Sequence, residues 1–175
     1  KDDGHHLDYQ TEWWYFTGHL TDEENNTYGF EFTVFRLGAD QPIGSGAWMS
    51  DQIYMAHTAL TNDSTQEFKN DSKVQRGVRP LAYSSENNMD IKLHNWTINR
   101  DVNGQFNLSF YVKDTYLNLV FNSVKPPVLH GDNGLSVKLN NSNSSSYYYS
   151  YTRLVGDGKL VENQITKKVS VSAWF

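Results

Sequence analysis

Cysteine is absent from the 175 residues, which excludes disulfide bonds, thiolate metal sites and cysteine nucleophiles. No run of about 18 apolar residues occurs, so the sequence predicts no membrane-spanning helix. Basic residues are scarce, with 15 Lys and Arg against 20 Asp and Glu, which argues against a nucleic-acid partner because phosphate contacts need a basic surplus. The common nucleotide-binding motifs and the His-Glu-x-x-His zinc motif are missing as well.

Aromatic residues, in contrast, are abundant: five Trp, eleven Tyr and nine Phe make up 14% of the chain. This content argues against disorder, which is poor in aromatics, and against a helix bundle rich in Leu and Ala. A chain of this length is large enough to form one domain with a real core.

The dominant sequence period is two residues, which is typical of half-buried strands. Turn-forming clusters separate these strands, and a polar Asn/Ser run at residues 140–146 predicts a loop. We therefore predict an all-β fold of about ten antiparallel strands with no long helix, and we favour an up-and-down barrel because most connections are short. The alternating apolar sets lie at residues 28–34, 53–59, 106–112, 117–121 and 169–173.

The most unusual segment begins at Glu12 and continues through two tryptophans, a tyrosine and a phenylalanine. On a strand, Glu12 and Trp14 face one side while Trp13 and Tyr15 face the other. Glu12 is then either a strand-end residue paired with an arginine or a carboxylate at the mouth of an aromatic cavity. In the second case burial would raise its pKa and make it a proton donor. Arg36, on the neighbouring strand, is the expected partner.

Three further candidates are histidine or aspartate residues. His57 lies mid-strand on an otherwise apolar face, where it is either a hydrogen-bonded core residue or a proton shuttle in a cavity. His130 and Asp132 share a Gly-rich loop and form either part of a turn or an acid/base or metal pair. Two ligands fall short of a metal site, so we predict no metal and no cofactor. The candidate catalytic residues are Glu12, His57 and Asp132.

A second aromatic strand carries Tyr147 and Tyr149 on one face, together with Tyr151 and Arg153. It is either an exposed tyrosine ladder or an inner wall suited to an apolar ligand with one polar end. The predicted inner wall of the barrel consists of Trp14, His57, Tyr147 and Tyr149, with Glu12 and Arg36 at one end. The full set of predicted ligand-binding residues is Trp13, Trp14, Tyr15, Arg36, His57, His130, Tyr147 and Tyr149.

Specific motifs occur in order along the whole chain. They are Asp3-Gly4-His5-His6, Glu12-Trp13-Trp14-Tyr15-Phe16, Tyr28-Gly29-Phe30-Glu31-Phe32-Thr33, Tyr54-Met55-Ala56-His57, Lys125-Pro126-Pro127-Val128-Leu129-His130-Gly131 and Ala173-Trp174-Phe175. In these motifs the chain resembles the AttH/CrtC family, which includes bacterial carotenoid 1,2-hydratases (hydroxyneurosporene synthases) and AttH-like proteins described as secreted hydrolases.

The resemblance implies two consecutive lipocalin-like barrels, with residues 1–175 forming the first and the second expected after residue 175. It implies a hydrophobic isoprenoid or lipid as partner and cofactor-independent hydration or hydrolysis. In the hydration an acid protonates an alkene, and water captures the resulting carbocation. The family's suggested proton donor falls beyond residue 175, so we expect the isolated chain to be inactive.

The alternatives are a non-catalytic lipocalin-like lipid carrier or sensor, or a scaffold for the second barrel. The sequence leaves open whether the protein is an enzyme. Many family members carry export signals, and the chain starts at Lys1 rather than Met. We therefore expect a periplasmic, secreted or envelope-associated location.

Overall fold

The structure is a computed structural model that describes residues 3–137 and 145–175. Within these ranges the fold is all-β, as predicted, with one 3₁₀ turn at Gly46–Trp48, and no helix there is long and apolar enough to cross a membrane. The strands are β1 Thr11–Asp22, β2 Thr27–Ile43, β3 Ser50–Asn62, β4 Glu67–Arg76, β5 Ala82–Ser84, β6 Asp90–Leu93, β7 Trp96–Arg100, β8 Phe106–Val112, β9 Thr115–Ser123, β10 Val128–Leu129, β11 Leu135–Val137, β12 Ser145–Tyr147, β13 Tyr149–Ser150, β14 Leu154–Glu162 and β15 Ile165–Trp174.

Eleven of the described strands form one antiparallel sheet in the order β4-β3-β2-β1-β15-β14-β9-β8-β7-β6-β5. The first strand pairs with the last, with Thr17 opposite Trp174. The sheet therefore rolls into a nearly closed lipocalin-like barrel whose gap lies between β4 and β5, which confirms the predicted fold class. Residues 138–144, which include most of the predicted polar loop, lie outside the described ranges.

Aromatic side chains fill the interior of the barrel. The rings of Phe32 and Phe110 lie 4.6 Å apart between centroids, and Trp96 meets Phe32 edge-on at 6.0 Å. All three side chains are fully buried. At these positions the interior is therefore a packed hydrophobic core.

Strand β3 turns the opposite face inward from the one predicted. Tyr54, Ala56 and Thr58 are buried, whereas His57 is exposed on the outer surface, edge-on to Phe35 at 6.0 Å. Both faces of β3 carry apolar residues, so alternation alone did not identify the buried face, and a shift of one residue exchanges the two faces. Thr58 is accommodated inside because its hydroxyl donates to the Tyr111 carbonyl oxygen at 2.9 Å.

Charged networks close one end of the barrel, where the tight turns between long strands lie. Lys69 on β4 contacts Glu162 on β14 and Asp114 in the turn before β9, the latter at 3.2 Å. Nearby, Asp22 receives hydrogen bonds from Asn26 and Lys167. Burial opposes the charge of Asp22, but these bonds outweigh it and lower its pKa to about 2. The opposite end carries the longer connections.

Candidate functional site

The N-terminal segment, residues 3–10, lies across this opposite end of the barrel. Gly4 is buried there, and an added Cβ would lie 2.3 Å from the Glu86 carbonyl oxygen, so only glycine fits this close approach. Beside the segment lies the excursion, whose described residues are 124–137 and 145–153 and which leaves the sheet after β9 and returns before β14. Its small strands pair as β10 with β13 and β11 with β12.

A cleft of about 930 Å³ lies between the N-terminal segment, the start of β1 and the excursion. We call it the end cleft. Its wall combines aromatic and polar side chains. The aromatic lining residues are Tyr9, Trp13, Trp14, Tyr15, Tyr147, Tyr148, Tyr149 and Phe175, beside Leu129, and the polar ones are His6, Asp8, Gln10, Thr11, Glu12, Asn133, Ser145 and Ser146. Five of the eight predicted ligand-binding residues therefore meet in one place, outside the barrel interior.

Glu12 is held in an ion pair with Arg36 at the base of the end cleft. The two residues lie directly opposite each other in the β1–β2 pairing, as the sequence predicts. Arg36 Nε donates to Glu12 Oε2 at 2.7 Å, and the backbone N–H of His6 donates to both carboxylate oxygens at 3.0 Å. His6 Nδ1 lies 2.8 Å from Oε1. Both oxygens of Glu12 are thus occupied by protein donors.

Arg36 itself is fully buried behind the end cleft and joins three parts of the chain. Besides Glu12, its guanidinium donates to the Gln52 side chain on β3 and to the carbonyl oxygens of His6 and Tyr9. Donors on all three guanidinium nitrogens are therefore engaged. A buried charge is tolerated only when it is paired in this way, so the hub fixes the N-terminal segment on the barrel.

A second charged hub lies beside the first and is built on Asp3. Arg100 Nη1 donates to Asp3 Oδ2 at 2.6 Å, and the Tyr149 hydroxyl donates to Oδ1 at 2.8 Å. The indole N–H of Trp14 donates to the Asp3 carbonyl oxygen at 3.0 Å. Burial and the neighbouring Asp3 carboxylate raise the pKa of Tyr149. The orientation of two cleft-lining aromatics thus depends on Asp3.

His5 anchors the N-terminal segment on its other side. Its Nδ1 lies 2.8 Å from the Ser84 hydroxyl, which is in turn 2.8 Å from the Tyr54 hydroxyl. Burial, followed by the nearby Arg36 charge, lowers the pKa of His5. Ser84 is buried and does not line the end cleft, so this chain of hydrogen bonds is structural.

The remaining predicted site residues do not line the end cleft. His130 stacks on Tyr148 at 4.2 Å and bonds the Ser150 hydroxyl at 2.9 Å, so it supports the cleft wall from behind. Asp132 is exposed in a turn closed against Leu135. Among the described residues no cluster of three or more acidic or histidine side chains could hold a metal.

Sequence patterns did not identify Asp3 and Arg100 as site residues, nor Tyr148 as a lining residue of the end cleft. Asp3 and Arg100 are 97 positions apart, and no local pattern relates them. Tyr148 was assigned to the opposite face from its neighbours by strand alternation. In the structure it is the residue between β12 and β13, where the alternation is interrupted, and all three tyrosines reach the cleft.

The filled barrel with an aromatic cleft at one end defines a lipocalin-like β-barrel protein. The sequence places it more narrowly: the AttH-like family matches residues 1–175, and the chain belongs to that family. No protein of curated function matches it.

Two solved structures are similar. A candidate AttH from Nitrosomonas europaea is 30% identical, with a TM-score of 0.87 over 99% of this chain and 52% of that chain. Kievitone hydratase from Nectria haematococca is 12% identical, with a TM-score of 0.67 over 93% of this chain and 45% of that chain. The second likeness concerns the fold alone. The chain thus spans about half the length of each of these proteins.

Proposed function

We propose that this chain provides the binding cleft for a hydrophobic isoprenoid or lipid in an AttH-like protein. The observation that carries the proposal is the concentration of tryptophan and tyrosine rings around one open cleft. Small-molecule sites are concave, mostly apolar and on the order of 300–1,000 Å³. The end cleft is concave, has a volume of about 930 Å³ and has aromatic rings in its wall. The packed barrel interior offers no comparable space to a ligand, which supports the end of the barrel as the site.

Any hydration or hydrolysis would draw its acid from outside this chain. Of the three predicted catalytic residues only Glu12 lines the end cleft, and both of its carboxylate oxygens already accept hydrogen bonds from protein donors. His57 and Asp132 lie elsewhere. That a hydratase shares the fold makes hydration a reasonable reaction class for the longer protein. We propose that a second barrel in the longer protein would supply the acid.

A non-catalytic carrier or sensor is the second candidate function. The same observations favour it for the isolated chain, because the described residues provide a binding surface in the end cleft while two of the three candidate catalytic residues, His57 and Asp132, lie outside it. The two candidates share the binding step, so that step is the one to test first.

Replacing Trp13 by alanine should weaken the binding of all-trans-retinol, used as an isoprenoid probe, by about tenfold or more. Trp13 lines the end cleft and lies 6.4 Å from the Tyr148 ring, and truncating a central aromatic anchor costs this much in typical interfaces. Isothermal titration calorimetry gives the dissociation constants, and thermal unfolding checks that the fold is intact.

The matched control is Trp48→Ala, which removes a tryptophan that is 54% exposed in the 3₁₀ turn and does not line the end cleft. Its retinol affinity should equal that of the wild type. Equal losses in both variants, or no retinol binding by the wild type, would speak against the proposed function.

A further inference from the structure

We infer that the end cleft selects neutral hydrophobic ligands and rejects ligands with a carboxylate or phosphate head group. This inference rests on the proposed function and adds the charge class of the ligand to it. It follows from where the positive charges and hydrogen-bond donors around the end cleft are directed.

The first relevant charge is Arg36, which lies directly behind the cleft wall. Glu12 stands between this guanidinium and the open space, since Glu12 lines the end cleft and Arg36 does not. Arg36 is fully buried and its donors bind Glu12, Gln52 and two backbone carbonyl oxygens. An acidic ligand therefore meets the Glu12 carboxylate before it meets the cation.

The second charge is Arg100, which is paired with Asp3 at a distance of 2.6 Å, and neither residue is among the described residues that line the end cleft. Asp3 also accepts a hydrogen bond from the Tyr149 hydroxyl at its carboxylate and one from the Trp14 indole N–H at its carbonyl oxygen. Both aromatic residues line the end cleft, yet the Tyr149 hydroxyl and the Trp14 indole N–H both donate to Asp3. Two natural donors for an acidic head group are thus already in use.

The rim of the end cleft also carries an acidic side chain. Asp8 is an exposed carboxylate at the rim, and among the described lining residues none is a lysine or an arginine. A carboxylate that leaves water for an aromatic wall costs several kcal/mol unless a cation or several donors receive it. A hydroxyl or a hydrocarbon end costs far less. The arrangement therefore discriminates by head-group charge, with Glu12 and Asp3 as the residues that determine it.

The test compares all-trans-retinol with all-trans-retinoic acid, which share one polyene and differ in the charge of one end. Equilibrium dialysis of the wild-type protein against each ligand at neutral pH gives the two dissociation constants. Retinol should bind at least about tenfold more tightly than retinoate, because the described lining residues of the end cleft offer the anion no lysine or arginine. Equal affinity, or tighter binding of retinoate, would overturn the inference while leaving the proposed function standing.

A charge reversal at the rim supplies the second measurement. Asp8→Lys places a cation beside the aromatic wall and should tighten retinoate binding several-fold relative to retinol binding by the same variant. Glu23→Lys makes the same change in net charge in an exposed turn at the opposite end of the barrel, and should change neither affinity. A similar gain in both variants would reduce the effect to net charge and contradict the inference. Failure of every protein to bind retinol would instead remove the proposed function and this inference with it.

Discussion

Replacing Glu12 by glutamine should lower the free energy of unfolding by about 3 kcal/mol or more. Arg36 is fully buried, and its charge is balanced in the structure by this one carboxylate at 2.7 Å. Removing one partner of a buried ion pair leaves an uncompensated charge in a medium that solvates it poorly. The loss should also loosen the N-terminal segment, since Glu12 holds the backbone of His6. Urea unfolding monitored by circular dichroism measures the change.

The same charge deletion at an exposed position serves as the control for Glu12. Glu23→Gln lies in the turn after β1 and should change the free energy of unfolding by less than about 0.5 kcal/mol. A Glu12→Gln protein as stable as the wild type would contradict this prediction and show that the ion pair does not stabilise the fold.

Replacing Phe32 by alanine should cost about 3–5 kcal/mol of stability. Phe32 is fully buried at the centre of the barrel and packs on Phe110 and Trp96. Truncation would open a cavity that these large, mutually constrained rings cannot fill. Because the interior is core and not a binding site, the folded variant should still bind retinol with wild-type affinity.

Phe68 provides the matched control because it is 62% exposed on the edge strand β4. Phe68→Ala should alter the free energy of unfolding by less than about 0.5 kcal/mol. Calorimetric titration with retinol at a temperature where both variants are folded gives the affinities. A Phe32→Ala protein of normal stability that loses retinol binding would show that the ligand occupies the barrel interior.

Local alternation was sufficient to predict most of the barrel and part of its site. The even-numbered residues of 28–34 and of 106–112 turn their aromatic and aliphatic side chains inward, as the period of two requires. The Glu12–Arg36 pair could also be predicted, because a tight hairpin sets the register of two neighbouring strands.

The rest of the site depends on contacts that no local pattern records. His57 was placed inside because both faces of β3 are apolar, and only the complete sheet decides which is buried. The Asp3–Arg100 contact joins the two ends of a long stretch of sequence, and its formation depends on the N-terminal segment crossing the barrel end. Whether a barrel encloses a cavity is set by the summed volume of rings from many strands.

The most direct test of this account is the response of the five indole N–H resonances to retinol in two-dimensional ¹H–¹⁵N NMR spectra. Single Trp→Phe substitutions assign the resonances. Trp13 and Trp14 line the end cleft, Trp96 lies in the barrel core, and Trp48 lies in the 3₁₀ turn. If the ligand binds in the end cleft, the resonances of Trp13 and Trp14 should shift on titration while those of Trp48 and Trp96 stay in place. A shift of the Trp96 resonance with Trp13 and Trp14 unchanged would place the ligand inside the barrel and contradict it.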